Sequence, residues 1–276
     1  MQKNFWENFQ YAFSTFRKSF WAILGTYFSL ILVLGIFAAI VALTLGKDLA
    51  MLLGSLYMDP SVAASNMLPQ LLIFLSLLVV LFVLFYFIGL WIFIIIKNNA
   101  VVGRSLMIES FKEALRKMWK VLLWSIIICV CFVLGSTFSI LLLRRFAVIL
   151  IFPLTLLSLP FVFAGSFGMM YQEGGFGKIL SESISLGGKK WGNILITYIL
   201  YILLAVVFLV VTGGIQVVIT KYGLLTIGKI FGAIVSFLFQ AFSYCFFTVY
   251  YLNIAEMLPQ NETVKEISQE ELIQNN

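Results

Sequence analysis

Ser110–Trp124, SFKEALRKMWKVLLW, carries the pattern on which the rest of the chain is built. Phe111, Ala114, Leu115, Met118 and Leu122 recur at helical spacing on one side, and Lys112, Glu113, Arg116, Lys117 and Lys120 occupy the other. The segment then runs straight into an apolar span. About a hundred residues earlier Phe9, Ala12, Phe13, Phe16 and Phe20 repeat the pattern, with Lys18 standing where Lys120 stands. Downstream, Leu180, Ser183, Ile184, Gly187 and Trp191 repeat it more faintly, with Lys189 in the lysine position. Three units are expected, at about 3–96, 97–171 and 172–256, each an interfacial amphipathic helix followed by two spans.

The surrounding composition makes lipid the solvent. Hydrophobic residues are 62% of the chain and charged residues 11%, and the mean hydropathy is +1.06. A soluble domain carries about 25% charged residues, so the expected fold is all-α, a polytopic membrane bundle of six transmembrane helices. Residues 1–256 form a single membrane domain in this reading, and 257–276 a polar, acidic tail.

The spans follow from the apolar runs. Trp21–Leu45 is the first, too long for the apolar core of a signal peptide and without a small-residue cleavage site. Gly46–Pro69 reads as a connection with a short surface helix around Leu49–Tyr57, and Leu71–Ile96 as the second span. Asn98, Asn99 and Gly103 stand where that span must end and turn. Val121–Leu143 and Phe146–Tyr171 are the third and fourth spans, joined tightly through Arg144 and Arg145. Pro153 and Pro160 lie inside the fourth, each freeing a carbonyl for which Thr155 and Ser158 are nearby donors. Ile194–Ile219 and Ile230–Ile254 complete the six, with a short turn at Thr220–Gly223.

Basic residues set the orientation. Lys47, Arg144, Arg145, Lys221 and Lys229 fall on one side, and the other thirteen of the 18 Lys and Arg on the other. By the positive-inside rule both termini are cytoplasmic in an inner (plasma) membrane. Trp21, Trp119, Trp124 and Trp191 cluster at the cytoplasmic ends of the odd-numbered spans, as an aromatic belt does.

Chemistry is restricted by what the chain lacks. It has no histidine, and its span interiors hold no Asp or Glu. A histidine base, paired carboxylates or a zinc motif are therefore excluded, and no cofactor is expected. Cys129 and Cys131 point about 200° apart on a helix, which suits neither a bridge nor a shared metal. Gly174–Lys178, GGFGK, lacks the spacing and the preceding strand of a phosphate loop and reads as a flexible break. The GxxxG spacing at Gly228–Gly232 suits a packing contact or a dimer seam. That at Gly188–Gly192 lies in a polar segment.

Two sets of residues stand out as candidate sites. Arg116, Lys117, Lys120, Lys189 and Lys190 are placed to meet anionic lipid headgroups, and Arg144 and Arg145 to clamp phosphates or to snorkel as a stop signal. Ser236, Gln240 and Ser243 share one face of the sixth span and form either a polar seam for a solute or interhelical hydrogen bonds. Nucleic acid is not an expected partner, because the basic residues sit beside apolar spans. A protein docking at the cytoplasmic face is the alternative occupant of the basic helices.

Three stretches resemble the six-span membrane domain of bacterial glycerophosphodiester phosphodiesterases: NFQYAFSTFRKSFWAILGTY (8–27), GRSLMIESFKEALRKMWKVLLW (103–124) and EGGFGKILSESISLGGKKWGNILITY (173–198). The hydrolase activity of that family resides in a separate soluble domain, and this chain has no room for one. The resemblance implies a membrane module that handles or senses lipid, and it transfers no functional residue. The expected role is non-catalytic, engaging lipid or a partner complex, and the alternative is a permease or channel for a neutral or lipidic solute.

Overall fold

A computed structural model describes residues 4–58, 68–104, 106–143 and 147–258. Their regular structure is entirely helical: α1 (Phe5–Met58), α2 (Leu68–Val102), α3 (Met107–Leu143), α4 (Ala147–Tyr171), α5 (Phe176–Lys189), α6 (Trp191–Lys221) and α7 (Leu225–Ile254). Among the described residues, five stretches are long and apolar enough to cross a membrane: Phe5–Ile40, Leu75–Val102, Met107–Phe138, Trp191–Lys221 and Leu225–Ile254. Within α4 the corresponding apolar stretch is the shorter Thr155–Tyr171. The chain is a multi-pass helical membrane protein. Arg144, Arg145 and residues 259–276 of the tail lie outside the described residues.

Helix boundaries depart from the sequence reading where no strong breaker is present. The α1 helix opens with a capping box. The Asn4 side chain accepts the Glu7 N–H, the Glu7 carboxylate accepts the Asn4 N–H, and both bonds are 2.9 Å. No proline then follows until Pro60, so α1 runs unbroken for 54 residues. The amphipathic segment, the first span and the expected surface helix at Leu49–Tyr57 belong to one helix. Similarly α3 carries its amphipathic start into its span without interruption. Asn98 and Asn99 sit inside α2, which ends only at Gly103, whose φ of +77° places it in the left-handed region that terminates helices.

Two compact units divide the chain, Trp21–Ile92 and the remainder, Met1–Phe20 with Phe93–Asn276. In the larger unit α3 packs on α4, α4 on α5, and α6 on α7, while α4 also touches α6 and α7. Its core is aromatic. Phe163 and Phe167 of α4 lie 4.7 Å apart between ring centres, Phe167 stacks on Tyr251 of α7 at 5.5 Å, and Tyr201 of α6 stacks on Phe246 at 4.9 Å. Phe5 and Phe9 of α1 pack against Phe246 from another side. Burial in α7 is concentrated in Ala241–Ile254, whereas Ile230 and Ile234 nearer its start are exposed.

The inward-facing stripes of the first two amphipathic segments are small or polar rather than large and apolar. Asn8, Ala12, Thr15 and Ser19 are buried in α1, and Ser110, Ala114, Lys117 and Val121 in α3, at the same spacing. The large side chains Phe13, Phe111 and Leu115 face outward. Lipid rewards this arrangement, because apolar groups gain little by leaving it and close helix contact needs small residues.

The α5 helix also turns small residues inward. It packs antiparallel on α4, burying Ile179, Ser183 and Gly187. A Cβ on Gly187 would come within 3.2 Å of the Phe161 Cα and the Pro160 carbonyl. The GxxxG pair of α7 also serves packing within the chain, since Gly228 faces Thr220 and Gly232 faces the Gln216 side chain of α6. In α4, Ser158 donates to the Thr155 carbonyl at 3.0 Å.

Gly165 is the tightest of these contacts with a ring, as its Cβ would overlap the Trp124 indole. Gly165→Ala is expected to destabilise the solubilised protein by about 1–3 kcal/mol through overpacking. Gly192→Ala, where nothing lies within 4 Å, should leave it unchanged. Thermal unfolding of both variants in detergent checks the contrast.

Candidate functional site: a charged cluster at one end of the helices

Four contacts join helix ends within the larger unit. Asn99 of α2 donates to Ser19 of α1 at 2.7 Å, and Asn98 to Ser110 of α3 at 2.9 Å. Gln172, following α4, donates to the Tyr251 hydroxyl of α7 at 3.0 Å, and Tyr250 donates to Asn193 of α6 at 3.3 Å. The start of α1, the end of α2, the start of α3, the end of α4, the start of α6 and the end of α7 therefore share one polar layer.

Lys117 sits at the centre of this layer and is 1% exposed. Its Nζ lies 2.9 Å from Glu113 and 3.2 Å from Glu173, and it donates to the Tyr171 carbonyl at 3.1 Å. Glu113 also receives Lys97 at 2.7 Å, and Glu173 receives Arg116 at 2.9 Å. Lys120 donates to the Gly174 carbonyl. Tyr171 ends α4, so its carbonyl is one of the four that no intrahelical donor reaches. Lys117 caps this helix end and Lys120 the loop beyond it, and both charges oppose the negative pole of the α4 dipole. Below them the Tyr171 hydroxyl is 2.8 Å from Thr248 and 3.3 Å from the Phe93 carbonyl.

The expected headgroup ligands therefore divide. The ammonium of Lys117 is committed inside the protein, and its burial leaves no access for a lipid phosphate. Arg116 and Lys120 are held by the α4–α5 loop. Lys189 is exposed and Lys190 half-buried at the α5–α6 junction, with no acidic partner for either among the described residues. In the expected seam, Ser236 is exposed, Gln240 donates to Tyr244 on its own helix at 2.7 Å, and Ser243 is hydrogen-bonded to Tyr201 and to the Phe239 carbonyl. The signal for a buried Lys117 is present in sequence: Ser110, Ala114 and Val121 share its stripe, and small neighbours on one helix face mark the packed side.

Chemically the cluster is a set of ion pairs around helix ends. Partial burial raises the Glu173 carboxyl, but the hydrogen bond and charge of Lys117, reinforced by Arg116, outweigh it and hold the group below its ordinary value. Among the described residues no three Cys, Asp or Glu converge as a metal site would require. Cys245 is buried, and Cys129 and Cys131 are exposed on α3.

Removing one partner of the buried pair leaves the others unpaired, so Lys117→Met should cost about 3–5 kcal/mol, against at most about 1 kcal/mol for Arg116→Gln at the exposed pair. Unfolding titrations of the two variants in detergent measure this. Glu173 has a lowered value, so its stabilisation is full above the unfolded carboxylate value of about 4.3 and is lost as pH falls through the lower folded value. Glu173→Gln should reduce the acid-dependent loss of stability in a pH series of thermal melts.

No protein-family model, curated protein or solved structure matches this chain.

Proposed function

We propose that the chain is a non-catalytic integral membrane module, built of six spans in three repeats, whose cytoplasmic face engages anionic phospholipid. The observation carrying this reading is the concentration of cations at one end of the helices, next to outward-facing apolar side chains. Lys112 is exposed beside Phe111 and Ile108, and Arg17 and Lys18 beside Phe13. None of these three cations has an acidic partner among the described residues. Unpaired cations flanked by lipid-facing rings are what the boundary of an anionic bilayer selects.

The 25 residues of α4, about 37 Å, support its place as the fourth of the six spans. The matched inward stripes of α1 and α3 support the repeat. The imbalance of thirteen basic residues against five supports an inner-membrane location with cytoplasmic termini. A lipid-handling module is also what the resemblance to the phosphodiesterase membrane domain implies. A permease or channel for a neutral or lipidic solute ranks second. It needs a continuous polar path, and Ser236 and Gln240 are exposed on α7. A protein docking on the same cations is the other occupant to exclude.

Gentle extraction followed by native mass spectrometry should show an anionic phospholipid retained in stoichiometric amount, compared with an unrelated six-span protein. Retention of a protein instead would recast the chain as a subunit, and retention of neither would favour transport. A reporter fused after residue 276 should be active only as a cytoplasmic protein. Activity of a secreted-type reporter there would reverse the topology.

A further inference from the structure

Resting on the lipid-binding reading, we infer that the α1 face formed by Gln10, Phe13, Ser14, Arg17 and Lys18 is the headgroup site, and that its occupant is the phosphate of an anionic phospholipid. These five residues line an open groove of about 400 Å³. Their spacing of three and four places them on one face of the helix. Arg17 and Lys18 supply positive charge, and the Gln10 amide and Ser14 hydroxyl supply neutral donors. Phe13, 58% exposed, and Trp6, 64% exposed, supply apolar surface at the same helix end for glycerol and the upper acyl chains.

No carboxylate lines the groove. Glu7, one turn earlier, is engaged by Asn4 in the capping box. The second copy of the pattern shows what the equivalent position binds. Shifting Ser14 and Lys18 forward by the interval that relates Phe9 to Phe111 gives Arg116 and Lys120. There the α4–α5 loop brings in the Glu173 carboxylate and the Gly174 carbonyl. In the first copy no described acidic side chain fills that role, while Arg17 adds a second cation to Lys18. The same site chemistry, an anion against a basic helix face, is therefore left to a ligand from outside the chain. A bidentate guanidinium beside an ammonium fits a phosphodiester, and the flanking rings favour a lipid over free phosphate.

The test uses the full chain in detergent, titrated with dioctanoyl phosphatidylglycerol and read by native mass spectrometry, with dioctanoyl phosphatidylcholine and inorganic phosphate as comparison probes. One phosphatidylglycerol should bind more tightly than phosphatidylcholine and resist excess inorganic phosphate. Arg17→Gln with Lys18→Gln should weaken that binding roughly tenfold or more. Lys189→Gln with Lys190→Gln should leave it unchanged. Arg17→Lys, which keeps the charge but loses the bidentate fork, should weaken the binding less than Arg17→Gln does, and circular dichroism of each variant separates loss of fold from loss of the site. If phosphatidylglycerol binds equally well to the Arg17/Lys18 variant, or is displaced by phosphate, the site assignment is overturned while the lipid-binding reading stands. If the unaltered protein shows no preference for phosphatidylglycerol, the lipid-binding reading itself is overturned.

Discussion

The ammonium of Lys117 governs the larger unit. An ion of that size removed from water costs several kcal/mol unless it is met by opposite charge and hydrogen-bond acceptors. Here it is met by Glu113, by Glu173 and by the carbonyl that closes α4. The three acceptors hold different parts of the unit. Glu113 fixes the end of α2 through Lys97, Glu173 ties the α4–α5 loop to α3, and Tyr171 positions the aromatic core. A change in any of these would be felt at the other two, because the ion cannot tolerate losing a partner.

Packing beneath that layer follows lipid rules rather than aqueous ones. Rings from α1, α4, α6 and α7 interleave in the half of the larger unit nearest the charges, where their large contact area compensates for the weak drive to bury apolar groups from a hydrocarbon solvent. Elsewhere the helices meet through glycine, as at Gly187 against Pro160 and Phe161 and at Gly228 and Gly232 against α6. The polar layer and the ring cluster reinforce each other directly: Tyr171, Tyr250 and Tyr251 belong to both.

Much of the fold is legible in the sequence because apolar run length and basic-residue placement are one-dimensional signals. The helices α2, α4, α6 and α7 fall close to their expected spans, and Gly103 ends α2 for the reason its residue type suggests. The continuity of α1 is less legible. Glycine at 46 and 54 resembles loop chemistry, but without proline a helix tolerates each at a cost of about 1 kcal/mol. The inward faces are legible only by a different rule, that small residues mark the packed side in lipid. An apolar stripe is read as the packed side by a rule made for water, whereas in lipid Phe111 and Leu115 can face out and Ala114 and Lys117 face in. The pairing of Lys117 with Glu173 depends on a contact between segments far apart in the chain, and no local pattern encodes it.

Chain order gives that contact a consequence for biogenesis. Glu113 and Lys97 have already been made when Lys117 emerges, but Tyr171 and Glu173 follow more than fifty residues later. Until then the charge has only part of its final set of partners. Its full set of acceptors exists only once the end of α4 and the loop after it have met the start of α3. The contact between the start of α3 and the end of α4 is therefore one that the first half of the chain cannot make alone.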